Sequence, residues 1–329
     1  MPECLVVIYH NIASSRLGWA HDFKGVQEDV FVRQIAFLGR SYERLTLRQM
    51  IDHLDGRDRL PAKGWYPTFD DGYKDQLFAA VEHLQAAKIE GLFFLNTQRL
   101  ETQRLLTVDK QRLLQYGTPS FREFLEAFCC AAARRSPLRD DGRFAPNAEH
   151  IAQAADFYAE FPFYSNEERF YRKVRDCWLT ERQVEEIVDE LFYQFFDDEA
   201  GLVQRYFMTW DDVRALQAAG MQLGGHSHAH PFLTKLDAAA QRADIRRNAA
   251  LLSEQAGVKM TAFSYPFGGF NEDTIAALEG AGVRLGFTED GLAETADLAD
   301  PFRVSRLGPE RISELMNGAD VLRAPTRVR

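Results

Sequence analysis

The sequence predicts an α/β fold built on a parallel sheet or barrel, with a helical insertion in its middle. Two observations carry this. Mainly apolar runs at residues 5–9, 65–69, 91–95, 221–225, 261–265 and 283–287 alternate with stretches of helical spacing, the order expected when helices join parallel strands. Between about residues 98 and 206 the strand signals vanish and only helical spacing is left. A chain of 329 residues with 46% hydrophobic side chains has enough apolar surface for a large core.

Leu5-Val6-Val7-Ile8-Tyr9 is a continuous apolar run, as in a parallel strand buried on both faces, and it ends in His10. A loop follows around residues 14–25. Phe31, Ile35 and Leu38 recur at helical spacing, and that helix ends near Gly39. A second helix, 48–54, is closed by Asp55-Gly56. The strand 65–69 runs into Asp70-Asp71-Gly72 and then into a helix that includes Leu77–Leu84. The strand 91–95 completes a β-α-β-α-β order.

In the insertion, Ser120-Phe121-Arg122-Glu123 and Thr180-Glu181-Arg182-Gln183 are capping boxes. The second opens a helix with Val184, Ile187, Val188, Leu191, Phe192 and Phe195 on one side. The stretch 157–171, rich in Phe and Tyr, is expected to be helical and buried. The whole insertion is expected to pack over or beside the C-terminal ends of the strands, where such segments bear on function. Thr209 then caps a helix ending at Gly220, and strand 221–225 runs into His226. A helix over 237–255 precedes strand 261–265, which ends in Pro266-Phe267-Gly268-Gly269. Asn271 caps a further helix, and 283–287 and 303–307 are the last strands. The boundaries predicted are 1–98 with 206–318 for the barrel, 99–205 for the insertion and 319–329 for a basic, frayed tail.

A net charge of −10 disfavours a nucleic-acid or anionic-membrane partner, both of which call for a basic footprint. Cys4, Cys129, Cys130 and Cys177 form no C-x-x-C, so neither a zinc cluster nor a disulfide framework is suggested. The N-terminus lacks a basic segment followed by a long apolar one, and no run reaches the ~18 apolar residues of a membrane span. The expected location is the cytoplasm, with no stable membrane insertion.

Three strand ends carry groups capable of chemistry. Asp70 and Asp71 sit where a strand turns into a helix; either would serve equally as a helix cap. In an extended segment they would point to opposite faces, leaving one for a metal and the other for a base. His226-Ser227-His228-Ala229-His230-Pro231 holds three of only eight histidines. His226 and His230 with one carboxylate, such as Asp71, make a metal set that leaves a position open for water. Tyr265-Pro266-Phe267-Gly268 alone reads as a turn.

Taken in order, Thr68-Phe69-Asp70-Asp71-Gly72, His226-Ser227-x-x-His230-Pro231 and Tyr265-Pro266-Phe267-Gly268 resemble the motifs of the polysaccharide deacetylases, the NodB-homology or carbohydrate esterase family four proteins. The resemblance covers about residues 1–98 and 206–318. It implies a distorted (β/α) barrel with Asp70 as catalytic base and Asp71, His226 and His230 around a divalent metal, zinc or else Co2+ or Ni2+. It also implies an oxyanion and substrate pocket at Pro266 and the Phe267 N–H. Two family features are missing. An arginine that orients the base is replaced by Phe263, and Arg303 or Arg306, with Arg306 preferred, is expected to take its place. No histidine follows His230 to serve as general acid. Some members look circularly permuted, and Ile8-Tyr9-His10 fits the displaced motif, which makes His10 the expected acid.

The implied reaction is metal-dependent removal of an N-acyl group, acetyl first, from an amino sugar or glycan in O-antigen or capsule synthesis. The alternatives are an allantoinase-like hydrolase of a non-sugar C–N bond and an inactive carbohydrate-binding relative. The first tends to lose the metal ligands that this chain keeps.

Overall fold

The computed structural model describes residues 3–14, 25–135, 142–159, 164–289 and 298–318. The expected loop after residue 14 and the tail 319–329 lie largely or wholly outside them. The chain divides into two compact units, Met1–Arg104 with Ala200–Arg329, and Leu105–Glu199.

In chain order the first unit opens with β1 (Glu3–Tyr9), β2 (Ile12–Ala13), β3 (Val26–Gln27), α1 (Glu28–Ser41), β4 (Glu43–Arg44), α2 (Leu47–Leu54) and β5 (Lys63–Phe69). A wide helical turn, Gln76–Ala80, leads into α3 (Val81–Ala86), followed by β6 (Leu92–Leu95) and α4 (Thr97–Thr102). The second unit holds α5 (Thr107–Gly117), α6 (Phe121–Arg135), α7 (Ala148–Ala152), α8 (Asn166–Lys173) and α9 (Glu181–Phe195). The chain continues with α10 (Glu199–Tyr206), α11 (Trp210–Ala218), β7 (Gln222–Gly225), α12 (Ala238–Ala256), β8 (Ala262–Ser264), α13 (Glu272–Gly280), β9 (Leu285–Phe287) and α14 (Pro309–Met316).

The main sheet runs β1-β5-β6-β7-β8-β9, every pair parallel, with β4 beside β5. The expected last strand is reduced to two parallel bridges, Phe287 with Val304 and Val7 with Leu307. That short segment touches β9 on one side and β1 on the other, so it closes the sheet into a distorted barrel of parallel strands. The 2-residue strands β2 and β3 pair separately.

Alternation along each strand sorts the core in two. Cys4 and Val6 of β1, Tyr66 of β5, Leu92 and Phe94 of β6, Ala262 of β8, and Leu285 and Phe287 of β9 form one buried cluster with Val304, the barrel interior. Leu45, Leu47 and Met50 join it near the N-terminal ends of the strands. The other parity, including Leu5, Val7, Tyr9, Trp65, Phe69, Phe93 and Phe263, packs with the helices. The interior is narrow: a Cβ on Gly224 would lie 2.5 Å from the Phe94 ring and 3.0 Å from the Ala262 carbonyl oxygen.

Among its described residues the second unit is helical, without a strand. Phe124 and Phe128 of α6 meet Tyr171 of α8 edge-on at 5.1 and 4.9 Å. The Thr180 side chain accepts from the Gln183 N–H and so starts α9. Two expectations need correction. Among the described residues of the stretch 157–171, helix begins at Asn166, where Ser165 caps it by accepting from the Glu168 N–H, and Phe157 lies in a turn, half-buried; residues 160–163 lie outside them. Phe195 does not join the buried side of α9: it is the last helical residue and is 51% exposed.

Candidate active site

Strand parity also decides which side chains meet beyond the interior. His10, Asp70, His226, Ser264, Glu289 and Arg306 each lie two residues past an inward-facing position. They therefore converge at the C-terminal end of the barrel.

Asp70 is fully buried, and its backbone N–H donates to the Tyr9 carbonyl. The Arg306 guanidinium grips it with two bonds, Nη1 to Oδ1 and Nη2 to Oδ2, each 2.8 Å. The Ser264 hydroxyl donates to Oδ2 at 2.9 Å and accepts from Arg306 Nη2 at 2.8 Å. Arg306 also donates to the Thr68 hydroxyl and the Thr288 carbonyl, so its fork is fixed. Burial pushes the Asp70 carboxyl up; Arg306, His226 and His10 more than offset it and hold it below the usual carboxylate range. Arg303 has the other parity and reaches Asp300 instead, at 3.3 Å.

Asp71 departs from expectation. It is not extended: its φ is 71°, and Gly72 follows at 64°. Asp70 and Asp71 therefore do not point to opposite faces. The left-handed turn brings both carboxylates to one histidine, with His226 Nε2 4.0 Å from Asp70 Oδ2 and 3.4 Å from Asp71 Oδ1. Arg99 holds the turn by donating to the Asp71 carbonyl at 2.6 Å.

His230 Nε2 lies 3.5 Å from the same Asp71 oxygen. One ligand atom from each of Asp71, His226 and His230, all buried, falls within 4.8 Å of the other two. The His226 ring is oriented by Nδ1, which lies 2.8 Å from the Ser264 carbonyl as donor, leaving the Nε2 lone pair for the cluster. Two imidazoles and a carboxylate in this arrangement fit a divalent cation.

The histidine loop is fixed from α12. Asp244 accepts the N–H groups of His228 and Ala229 at 2.8 and 2.9 Å. The Asn248 amide donates to the Ser227 carbonyl at 2.8 Å and the Leu95 carbonyl at 3.0 Å. His230 takes a left-handed φ of 55°, and its N–H donates to the Ser227 hydroxyl at 2.8 Å. His228 turns to Thr97 and Glu101, with Nδ1 3.1 Å from the Thr97 hydroxyl.

On the other side His10 Nε2 pairs with Glu289 Oε1 at 3.1 Å. Burial lowers the His10 pKa, but the bond to Glu289 and the charges of Glu289, Asp71 and Asp70 outweigh it, so the ring is held above the usual imidazole value. Burial raises Glu289, and the bond and charge of His10 outweigh that and lower it. Gln76 joins the two halves: its side-chain amide donates to the His10 carbonyl at 3.0 Å and to the Asp70 carbonyl at 2.6 Å. Next to it, Asp75 accepts from Asn11 and the Ile12 N–H, and burial pushes its carboxyl up to about 7.

Pro266 is buried, and Phe267 takes φ 57° and ψ 16°, its ring 4.6 Å from that of His230. Sequence reasoning missed Glu289, Ser264, Gln76, Asp244 and Asn248. Continuing the alternation of β8 and β9 by one step finds Ser264 and Glu289.

Residues 178–286 match the family described as polysaccharide deacetylase. That span takes in His226, His230 and Tyr265-Pro266-Phe267-Gly268 but leaves Thr68-Phe69-Asp70-Asp71-Gly72 outside. A comparison with curated proteins returns no match. Among solved structures, IcaB from Ammonifex degensii is 18% identical with a TM-score of 0.57, covering 97% of each chain. The Streptococcus pyogenes deacetylase PplD in complex with acetate is 14% identical with a TM-score of 0.56, over 97% of this chain and 98% of that one. A de-N-acetylase from Aggregatibacter actinomycetemcomitans is 15% identical with a TM-score of 0.52, over 93% and 94%. These likenesses establish the NodB-type (β/α) barrel fold. Residues 178–286 carry the polysaccharide deacetylase match, and with it the chain is an amidohydrolase of that kind.

Proposed function

We propose that this deacetylase removes the N-acetyl group from an amino sugar of a bacterial surface glycan, O-antigen or capsule, using a metal held by Asp71, His226 and His230. The observation that carries this reading is the convergence of three sets at one barrel end. They are a buried carboxylate locked by an arginine, an Asp/His/His set, and a partly exposed histidine paired with a glutamate. Arg306 occupies the role left open by Phe263, which removes the main support for an inactive carbohydrate-binding relative.

A divalent metal, zinc in this reading, would supply Lewis-acid polarisation to the acyl oxygen and to the attacking water. Asp70, kept ionised by Arg306, takes a proton from that water. The Arg306 fork and the Ser264 hydroxyl fix the carboxylate, so no reorientation is needed as the proton arrives. The Phe267 N–H is assigned to the negative charge that develops on the acyl oxygen. His10, kept protonated by Glu289, gives a proton to the amine nitrogen as the C–N bond breaks. The products are acetate and a free amino sugar. We place the reaction in the cytoplasm, which fractionation of the host cells tests.

Chelation should abolish acetate release from N-acetylated oligosaccharides, and zinc or cobalt should restore it. The His226→Ala/His230→Ala double variant should fold and lose the metal. Full metal occupancy in that variant sinks the ligand set; turnover that survives chelation sinks the metal dependence.

A further inference from the structure

His10 lies just past the end of its strand. β1 stops at Tyr9, whose carbonyl takes the Asp70 N–H, and residues 10 and 11 belong to no strand. Backbone groups buried beyond the end of a ladder have to be met by other partners. Two consecutive residues at the head of the wide helical turn supply them. The Gln76 amide donates to the His10 carbonyl at 3.0 Å. Asp75 Oδ2 accepts from the Asn11 side-chain amide at 3.3 Å and from the Ile12 N–H at 3.1 Å. From the other side the Val26 N–H donates to the Asn11 carbonyl at 3.1 Å, and a Cβ on Gly25 would fall 2.7 Å from Asn11 Cβ. The two peptide groups that follow His10 are therefore both fixed, and Asp75 and Gln76 do most of the fixing.

An acid is a costly choice for this contact. Asp75 is buried, and its Oδ1 has no hydrogen-bond partner among the described residues. No cation offsets it. Of the elements packed on this turn, β2 brings no titratable group, and Glu28 of α1 pairs with His83 of α3 at 2.9 Å. Asp29, Arg33, Arg40 and Glu82 on those helices are exposed, and the His10 ring turns to Glu289. Burial accordingly pushes the Asp75 carboxyl up to about 7. An isolated acid kept in such surroundings, one residue from a side chain that touches both halves of the site, points to a role.

We propose that Asp75 is a positioning residue for the acid: by clamping residues 10–12 it keeps the His10 ring against Glu289 and aimed at the leaving nitrogen. This rests on the deacetylase reading above and adds what holds its acid in place. The clamp works through the acceptor oxygen, not through charge. Asp75 touches neither substrate nor metal, so its effect passes through His10 alone.

Three variants of the zinc-loaded enzyme test this with two independent readouts. One is the kinetics of acetate release from an N-acetylated oligosaccharide. The other is a proton NMR titration of the His10 ring, its signal assigned by its loss in His10→Gln. Asp75→Ala frees residues 10–12, so kcat should fall about tenfold with KM and metal content unchanged. The His10 ring should then titrate lower, because a loosened bond to Glu289 leaves burial less opposed. Asp75→Asn still offers an acceptor oxygen and carries no charge, so both readouts should stay near the parent's. Asn11→Ala removes one of the two bonds to Asp75. It should shift both readouts in the direction of Asp75→Ala by less, and it carries the test if Asp75→Ala does not fold. An unchanged kcat and His10 titration in the folded variant that lacks the bond overturn the clamp. A loss in Asp75→Asn as large as in Asp75→Ala also overturns it, because charge and not the bonds would then matter. A raised KM with kcat unchanged overturns it too, since Asp75 would be acting on substrate binding. If the parent enzyme releases no acetate, the deacetylase reading fails, and the His10 titration alone decides whether Asp75 positions that ring.

Discussion

The two proton-handling halves of the site differ in how they are held. Asp70 and Arg306 have no exposed side-chain surface, whereas His10 and Glu289 expose 28% and 27%. The base is embedded in the fold, gripped by Arg306, Ser264 and the barrel around it. The acid sits at the rim with one ionic partner. A buried base needs its environment fixed so that it stays ionised despite desolvation. A rim acid must reach the leaving nitrogen and regain its proton from solvent at each turnover. Stability and activity should therefore be coupled on the base side and separable on the acid side.

The largest expected effect is on the base side. Arg306→Met keeps the bulk but leaves Asp70 buried without its counter-charge, which typically costs about 3–5 kcal/mol. Denaturant melting should show that loss together with near-complete loss of turnover. Full stability in Arg306→Met would mean that the barrel does not depend on the pair, and the contrast between the halves would fail.

His10→Ala should lower turnover by about 10²–10⁴-fold, the range for a general acid, with folding and metal content retained. His228→Ala should retain more activity, since that ring faces Thr97 and Glu101. Comparable losses in the two variants, read by initial rates and metal analysis, would remove His10 from its assigned role.

Much of this contrast could be read from the sequence because strand alternation is a local rule. Residues 8, 68, 224, 262, 287 and 304 point inward, and two steps on lie His10, Asp70, His226, Ser264, Glu289 and Arg306. The same parity separates Arg306 from Arg303. The left-handed turn at Asp71 was not legible, because aspartate is also at home in extended backbone, and only the fit to His226 and His230 selects the turn. Nor were Asp244 and Asn248, which reach the histidine loop from another element of the fold. Aromatic density does not mark where α8 starts; the Ser165 cap does, and it opens the helix at Asn166.

The smallest and most diagnostic effect is Glu289→Gln. In the native site the bond and charge of Glu289 hold the His10 pKa up against burial. Removing the charge leaves burial opposed only by Asp71 and Asp70, so the His10 pKa should fall. Turnover needs the protonated ring, so the limb on which activity declines with rising pH should move to lower pH. The acid limb, set by Asp70, should stay near its native place. A pair about a quarter exposed couples by roughly 1 kcal/mol or less, so the loss at neutral pH should be under about tenfold. Stability follows the same linkage. A histidine whose folded pKa is raised contributes stability fully present below its unfolded pKa and lost as pH rises through the folded one. Glu289→Gln should flatten that decline and leave the stability that Arg306 gives Asp70, which is lost only as pH falls through the depressed Asp70 value. Should the acid limb move instead, Glu289 would be acting on the base, and the separation between a buried base and a rim acid would be wrong.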